Sequence, residues 1–111
     1  VLQRATDDGI LSIGVDSNQN YLHPGSVLTS MLKRVDNAVF DAFSQGAEME
    51  TGIVVMDLAS GGVGWAVDEN NEPLITEEMT AAIAEAETGI TSGSLSVHDY
   101  RSDDTCPYSV E

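Results

Sequence analysis

Between residues 11 and 15 apolar and small polar positions alternate, Leu11, Ile13 and Val15 against Ser12 and Gly14, the period of a β-strand that ends at Asp16. Ser17 to Pro24 is polar and turn-rich and reads as the loop that leaves this strand. After Pro24-Gly25, the run Val27 to Leu32 fits either a short strand or the start of a helix, and propensity alone does not separate them. From Val35 the pattern changes period: Val35, Ala38, Val39, Ala42 and Phe43 form the stripe of an amphipathic helix, with Asp36, Asp41 and Gln45 outside it and Gly46 as its stop. Ile53 to Leu58 is a nearly continuous apolar run of strand length. Ala59-Ser60-Gly61-Gly62 then reads as a turn and Val63 to Val67 as a second strand, which together predict a hairpin. Thr76 is placed to cap a helix whose first turn carries Glu77 and Glu78, favourable against the helix dipole. Its buried face is predicted at Met79, Ile83, Ala86 and Ile90, with Gly93 ending it, and Leu95 to Tyr100 alternates as a last strand before a polar tail over 101–111.

Leu2, Ala5 and a terminating Gly9 look like the last turn of a helix, and the chain starts at Val1 without an initiating methionine. That organisation is expected of the C-terminal part of a longer protein. At 111 residues the chain is the size of one domain or part of one, and it carries neither an internal repeat nor an interdomain linker.

Nineteen acidic against four basic residues give a net charge of -15. Such a surface repels nucleic acid and anionic lipid, which removes both as partners. Lys33 is the single lysine. Acid excess with almost no lysine suits a protein that stays soluble in concentrated salt, where screening suppresses self-repulsion, and predicts a halophilic or marine source. The alternative is a cation-binding surface at Asp68-Glu69-Asn70-Asn71-Glu72, but that run lacks the glycine and spacing of an EF-hand loop and reads first as a solvated turn. The one cysteine, Cys106, has no internal disulfide partner and no companions for a zinc set; it reads as a small residue near a frayed end or, in a longer protein, as a partner for a cysteine outside this segment. No apolar run approaches the roughly twenty residues of a membrane span, and no signal peptide or lipobox is present.

The two histidines, His23 and His98, have no serine or cysteine in a nucleophile setting, and there is no G-x-S-x-G elbow, P-loop or dinucleotide fingerprint. Ser60-Gly61-Gly62 joins two predicted strands and leads into no helix, so it does not read as a phosphate cradle. An enzyme is not expected, nor any cofactor or metal. The better candidate is Asp16 at a strand's C-terminal end, where ligands collect in open α/β sheets. Its carboxylate can accept hydrogen bonds from two neighbouring hydroxyls, and the Lys33 ammonium can donate to the same pair, an arrangement suited to a neutral polyol such as ribose. A structural ion pair between the two is an equal reading at this point. Asn18, Gln19 and Tyr21 are candidates for added polar or stacking contacts.

Four blocks carry a family resemblance: Gly14-Val15-Asp16-Ser17-Asn18-Gln19; Val27-Leu28-Thr29-Ser30-Met31-Leu32-Lys33-Arg34-Val35-Asp36; Gly61-Gly62-Val63-Gly64-Trp65-Ala66-Val67-Asp68-Glu69-Asn70; and Val97-His98-Asp99-Tyr100 with Thr105-Cys106-Pro107-Tyr108. In their order they resemble the basic membrane protein family, the substrate-binding lipoproteins of certain ABC transporters that include purine nucleoside receptors. Asn18 stands where that family often shows Asp. The resemblance implies an α/β fold, the C-terminal third of a type I periplasmic-binding protein with a parallel or mixed sheet flanked by helices. It implies that Val27 to Leu32 is a strand crossing between lobes and that the helix begins near Arg34. It also implies that Asp16 and Lys33 lie where nucleoside-binding relatives contact the ribose, with Asn18 and Gln19 kept as further ligand-binding candidates in the adjoining loop.

The partners it implies are that solute, an ABC permease and the N-terminal lobe of the same protein, in an extracytoplasmic lipoprotein anchored outside this segment. Relatives are about three times as long, and the residues that read the base belong largely to the absent part, so the solute's identity is not written here. The second expectation, of a different class, is an acidic α/β interaction domain that has lost the pocket and assembles as a homo-oligomer through the apolar surface the other lobe would cover.

Overall fold

The computed structural model describes residues 1–107. Helix α1, Leu2–Asp7, ends at Gly9 with φ 68, and Ala5 is its one buried residue. Strand β1, Ser12–Asp16, runs parallel to β2, Val27–Lys33, with Ile13 opposite Thr29, Val15 opposite Met31 and Asp16 opposite Leu32. The segment 17–26 that joins them holds a 3-10 turn at Asn20–Leu22. The ambiguous run 27–32 is therefore a strand. Helix α2, Val35–Gln45, follows at once.

Strand β3, Val63–Trp65, lies antiparallel on the other edge of β2, with Lys33 opposite Val63 and Met31 opposite Trp65. The sheet is mixed, in the order β1-β2-β3. Helix α3, Glu77–Ser92, starts as expected: the Thr76 hydroxyl accepts from the Met79 amide, and Gly93 closes the helix with φ 78. A last turn of helix, α4, spans Tyr100–Asp103, capped by the Asp99 side chain, which accepts from the Arg101 amide.

Three expectations fail. The predicted hairpin does not form, because β3 takes the free edge of β2 while Ile53 to Leu58 stays outside the sheet. A run apolar on both faces needs cover on both, and Ile53, Val54 and Val55 are 97, 78 and 79% exposed. The turn between the segments does form: the Gly62 amide donates to the Asp57 carbonyl at 2.8 Å and the Ser60 amide to the Asp57 carboxylate at 3.0 Å. The last strand, Leu95 to Tyr100, is also absent; Asp99 initiates α4 instead, so the polar tail begins with a helical turn, and its residues 108–111 lie outside the described part. On α3 the stripe Ile83, Ala86 and Ile90 is only half-buried and Met79 is exposed.

The interior is unusual in its chemistry. Among the described residues, Ala5, Val27 and Ala66 are the buried hydrophobic side chains, and beside them Asn20, Thr29, Ser30 and Asn71 are buried polar ones. On β1 the expected amphipathicity is present with burial reversed: Gly14 is buried, while Ile13 and Val15 are more than half exposed. Accessible surface totals 8567 Å², about 2,600 Å² above that of a compact monomer of this mass. Likewise the radius of gyration is 17.0 Å against about 13 Å for a compact chain of this length. The apolar sides of β1 and of α2, where Phe40 and Phe43 are 71 and 83% exposed, contribute to this excess of open apolar surface.

Candidate functional site

Because β1 and β2 are parallel, their C-terminal ends lie together, and they deliver Asp16 and Lys33 to one end of the sheet. Both side chains line a recess of about 410 Å³ with Ser17, Val35 and Asp36. A second recess of about 530 Å³ continues from the same two residues between the sheet and α2, walled by Met31, Ala38 and Val54. Asp16 has φ 73, a left-handed conformation rare outside glycine that carries a steric cost for any side chain with a Cβ. Strain of that kind persists only where surrounding contacts hold it, and it concentrates at functional positions.

Among the described residues, neither the Asp16 carboxylate nor the Lys33 ammonium has a hydrogen-bond or ion-pair partner. The structural ion pair between them is thus not formed. The neighbouring charges are spoken for: Arg34 holds Asp36 through two nitrogens, at 2.9 and 2.8 Å, and reaches Asn37 Oδ1 at 3.3 Å. Those hydrogen bonds lower the Asp36 pKa to about 2 and raise that of Arg34. Asn37 in turn donates to the Gly61 carbonyl at 2.8 Å and the Arg34 amide to the Gly62 carbonyl at 2.9 Å, which fixes the start of α2 against the turn before β3. With Arg34 committed to Asp36, the opposite charges of Asp16 and Lys33 are both uncommitted among the described residues.

Asn18 and Gln19 sit in the loop after β1 with their side chains turned to the protein. Asn18 Nδ2 donates to Asp68 Oδ2 at 2.6 Å, and Gln19 Oε1 accepts from the Val15 amide at 3.1 Å. Tyr21 is exposed and lines neither recess. Asp68 also accepts from Asn20 Nδ2 at 3.2 Å and from the amide and side chain of Asn70 at 2.8 and 2.9 Å. These donors, Asn18 foremost, hold its pKa below the ordinary carboxylate value. A carboxylate so filled with amide donors has no lone pairs to offer a cation, and no group of three His, Cys, Asp or Glu side chains suited to a metal occurs among the described residues. Asn71 is buried; its Nδ2 donates to the carbonyls of Leu28 and Ala66 at 2.8 and 3.0 Å, and its Oδ1 accepts from the Asp68 amide at 2.8 Å. Sequence reasoning passed over Ser17, Val35 and Asp36 as lining residues, and took the 68–72 run for a solvated turn.

The histidines stay apart from this site. His98 Nε2 lies 2.8 Å from the Thr105 carbonyl oxygen and 3.6 Å from Asp103. No helix of the described residues is long and apolar enough to cross a membrane.

The fold that carries Asp16 and Lys33 has a counterpart among solved structures. A solute-binding protein of an ABC transporter system from Aeropyrum pernix K1 aligns with a TM-score of 0.65 over 92% of this chain, at 24% identity. The likeness shows the fold, that of a periplasmic-type solute-binding protein, and the chain spans 38% of that protein's length. A profile of the family described as ABC transporter substrate-binding protein PnrA-like matches residues 1–99. The chain therefore belongs to this family, the Bmp family, as the four sequence blocks had implied. No curated protein matches it.

Proposed function

We propose that the chain forms one wall of the binding cleft of an ABC importer's solute-binding protein, as its C-terminal part, and that Asp16 and Lys33 grip the sugar hydroxyls of a nucleoside-like solute without bond chemistry. The observation that carries this reading is the pair itself: two opposite charges with no protein partner among the described residues, sharing one recess at the ends of β1 and β2. A lone anion or cation there would favour a charged solute, whereas a matched pair favours a neutral one with adjacent donors and acceptors. The rest of the receptor would supply the facing lobe and the base-reading contacts, and a permease would take the solute from it. Such a receptor works outside the cytoplasm, tethered by a lipid anchor elsewhere in the protein, and the charge of -15 fits salt-rich surroundings.

The excess surface supports a second reading, self-association through the exposed sides of β1 and α2. Calorimetry on the full receptor separates the two. Asp16→Ala and Lys33→Met should each weaken nucleoside binding at least about a hundredfold, since each leaves ligand hydroxyls and the remaining charge unpaired in the closed cleft, while the fold persists. Unchanged affinity in both variants refutes the assignment. A stable homo-oligomer of the chain that ignores nucleosides favours the second reading.

A further inference from the structure

The strand-end site depends on a backbone conformation that the local sequence does not favour. Asp16 is left-handed and is followed by an exposed loop, and that loop is tied from a distance. The tie starts at Asp68, about fifty residues on in sequence, whose Oδ2 takes Asn18 Nδ2 at 2.6 Å and Asn20 Nδ2 at 3.2 Å. Asn20 is buried and passes the connection inward: the Ser30 hydroxyl donates to Asn20 Oδ1 at 2.8 Å and accepts from the Gln19 amide at 3.0 Å. Gln19 Oε1 then accepts from the amide of Val15, the residue before Asp16. Within the loop, the Asn20 amide donates to Asn18 Oδ1 at 2.9 Å. Asp68 is itself immobilised by Asn70 and by buried Asn71.

We infer that Asp68 is a positioning residue for the strand-end site, holding the 17–20 loop through Asn18 and Asn20 and thereby fixing the backbone that presents Asp16. The inference rests on the reading of Asp16 as a sugar-gripping group, and it assigns Asp68 no contact with the solute. Its chemistry is specific: Asp68 presents only acceptors to donors, so an amide in its place turns one oxygen into a donor facing Asn18 and Asn20, while a carboxylate at position 18 sets two anions against each other.

The test uses the full receptor with Asp68→Asn, Asn18→Asp and the double exchange, measured by calorimetry with a purine nucleoside and by hydrogen exchange on the ligand-free protein. Each single change should weaken binding about tenfold, the size of one charge-assisted hydrogen bond. It should also raise exchange about tenfold at the Val15 and Gln19 amides while leaving the Ala66 amide, bonded to the Ser30 carbonyl, unchanged. The double exchange, in which the new side-chain amide at position 68 donates to the new carboxylate at position 18, should restore most of both losses. General destabilisation would accelerate Ala66 as well, and that result, unchanged affinity and exchange in both singles, or a double no better than the weaker single, overturns the inference. If the unmodified receptor binds no nucleoside, the proposed function fails and the exchange pattern alone decides the tie.

Discussion

Replacing Asn71 with alanine should be among the most damaging single changes available in this chain, although position 71 falls in a polar run that looks like surface. The Asn71 side chain has no exposure to solvent. Alanine removes its donations to the Leu28 and Ala66 carbonyls and its acceptance from the Asp68 amide, three hydrogen bonds in all. Leu28 O and the Asp68 N–H lose this partner, whereas Ala66 O keeps the Thr29 hydroxyl at 2.8 Å. Two half-buried groups that each lose one hydrogen bond, at about 1–3 kcal/mol each, and a small cavity give a loss of about 3–4 kcal/mol. For a chain of this size that is a fall in melting temperature of about 12–25 °C. Thr29→Val is the internal control: it removes one hydrogen bond to Ala66 O but leaves Asn71 on the same oxygen, so it should lose about 1 kcal/mol. Thermal and urea unfolding in molar KCl, where surface repulsion is screened, measures both. Equal losses for the two variants, or an Asn71→Ala loss below that of Thr29→Val, would refute the view that a polar interior does the holding here.

Gly14 is packed so closely that a Cβ there would lie 2.5 Å from Ser30 Oγ and 2.9 Å from Gln19 Oε1; Gly14→Ala should lower stability by about 1–3 kcal/mol and expose the Val15 amide to exchange, and a neutral effect would contradict the described packing. The Asp36 carboxyl is held at about 2 against an ordinary 3.8 by Arg34. Its depressed value means that the stabilisation is complete above the ordinary value and is lost as pH falls through about 2; carboxyl NMR titration should return Asp36 to near 3.8 in Arg34→Met, and an unshifted midpoint would show that another group sets it. With a charge of -15, the melting temperature should rise steadily from low salt to molar KCl as repulsion is screened; a flat profile would remove the argument for a salt-rich environment.

What the sequence made legible was what local rules decide. The strand ending at Asp16, the helix from Val35 and the segment between Thr76 and Gly93 follow from period, capping and a left-handed stop, all set within a few residues. Asp16 and Lys33 could be paired beforehand because they end neighbouring segments and Lys33 is the lone lysine. Ile53 to Leu58 misled because its strand propensity is realised only under cover that these residues lack. Leu95 to Tyr100 misled because Asp99 found a nearer use as a helix cap. The asparagines at 18, 20, 70 and 71 were illegible for another reason: in turns they usually face water, and here they meet Asp68 across up to fifty residues, a pairing that no window of sequence reports. Asn18 and Gln19 were placed in the right loop, but their hydrogen bonds to Asp68 and to the Val15 amide were not foreseen.

If the solute is held by its sugar, through Asp16 and Lys33, the sugar's diol must carry the affinity. Calorimetry of the full receptor with a ribonucleoside, its 2′,3′-dideoxy analogue and the free base tests it most directly. The ribonucleoside should bind, and the dideoxy analogue should lose about a hundredfold or more, because removing the diol leaves a charged pair desolvated and unpaired. Equal affinity for the ribonucleoside and its dideoxy analogue would contradict it.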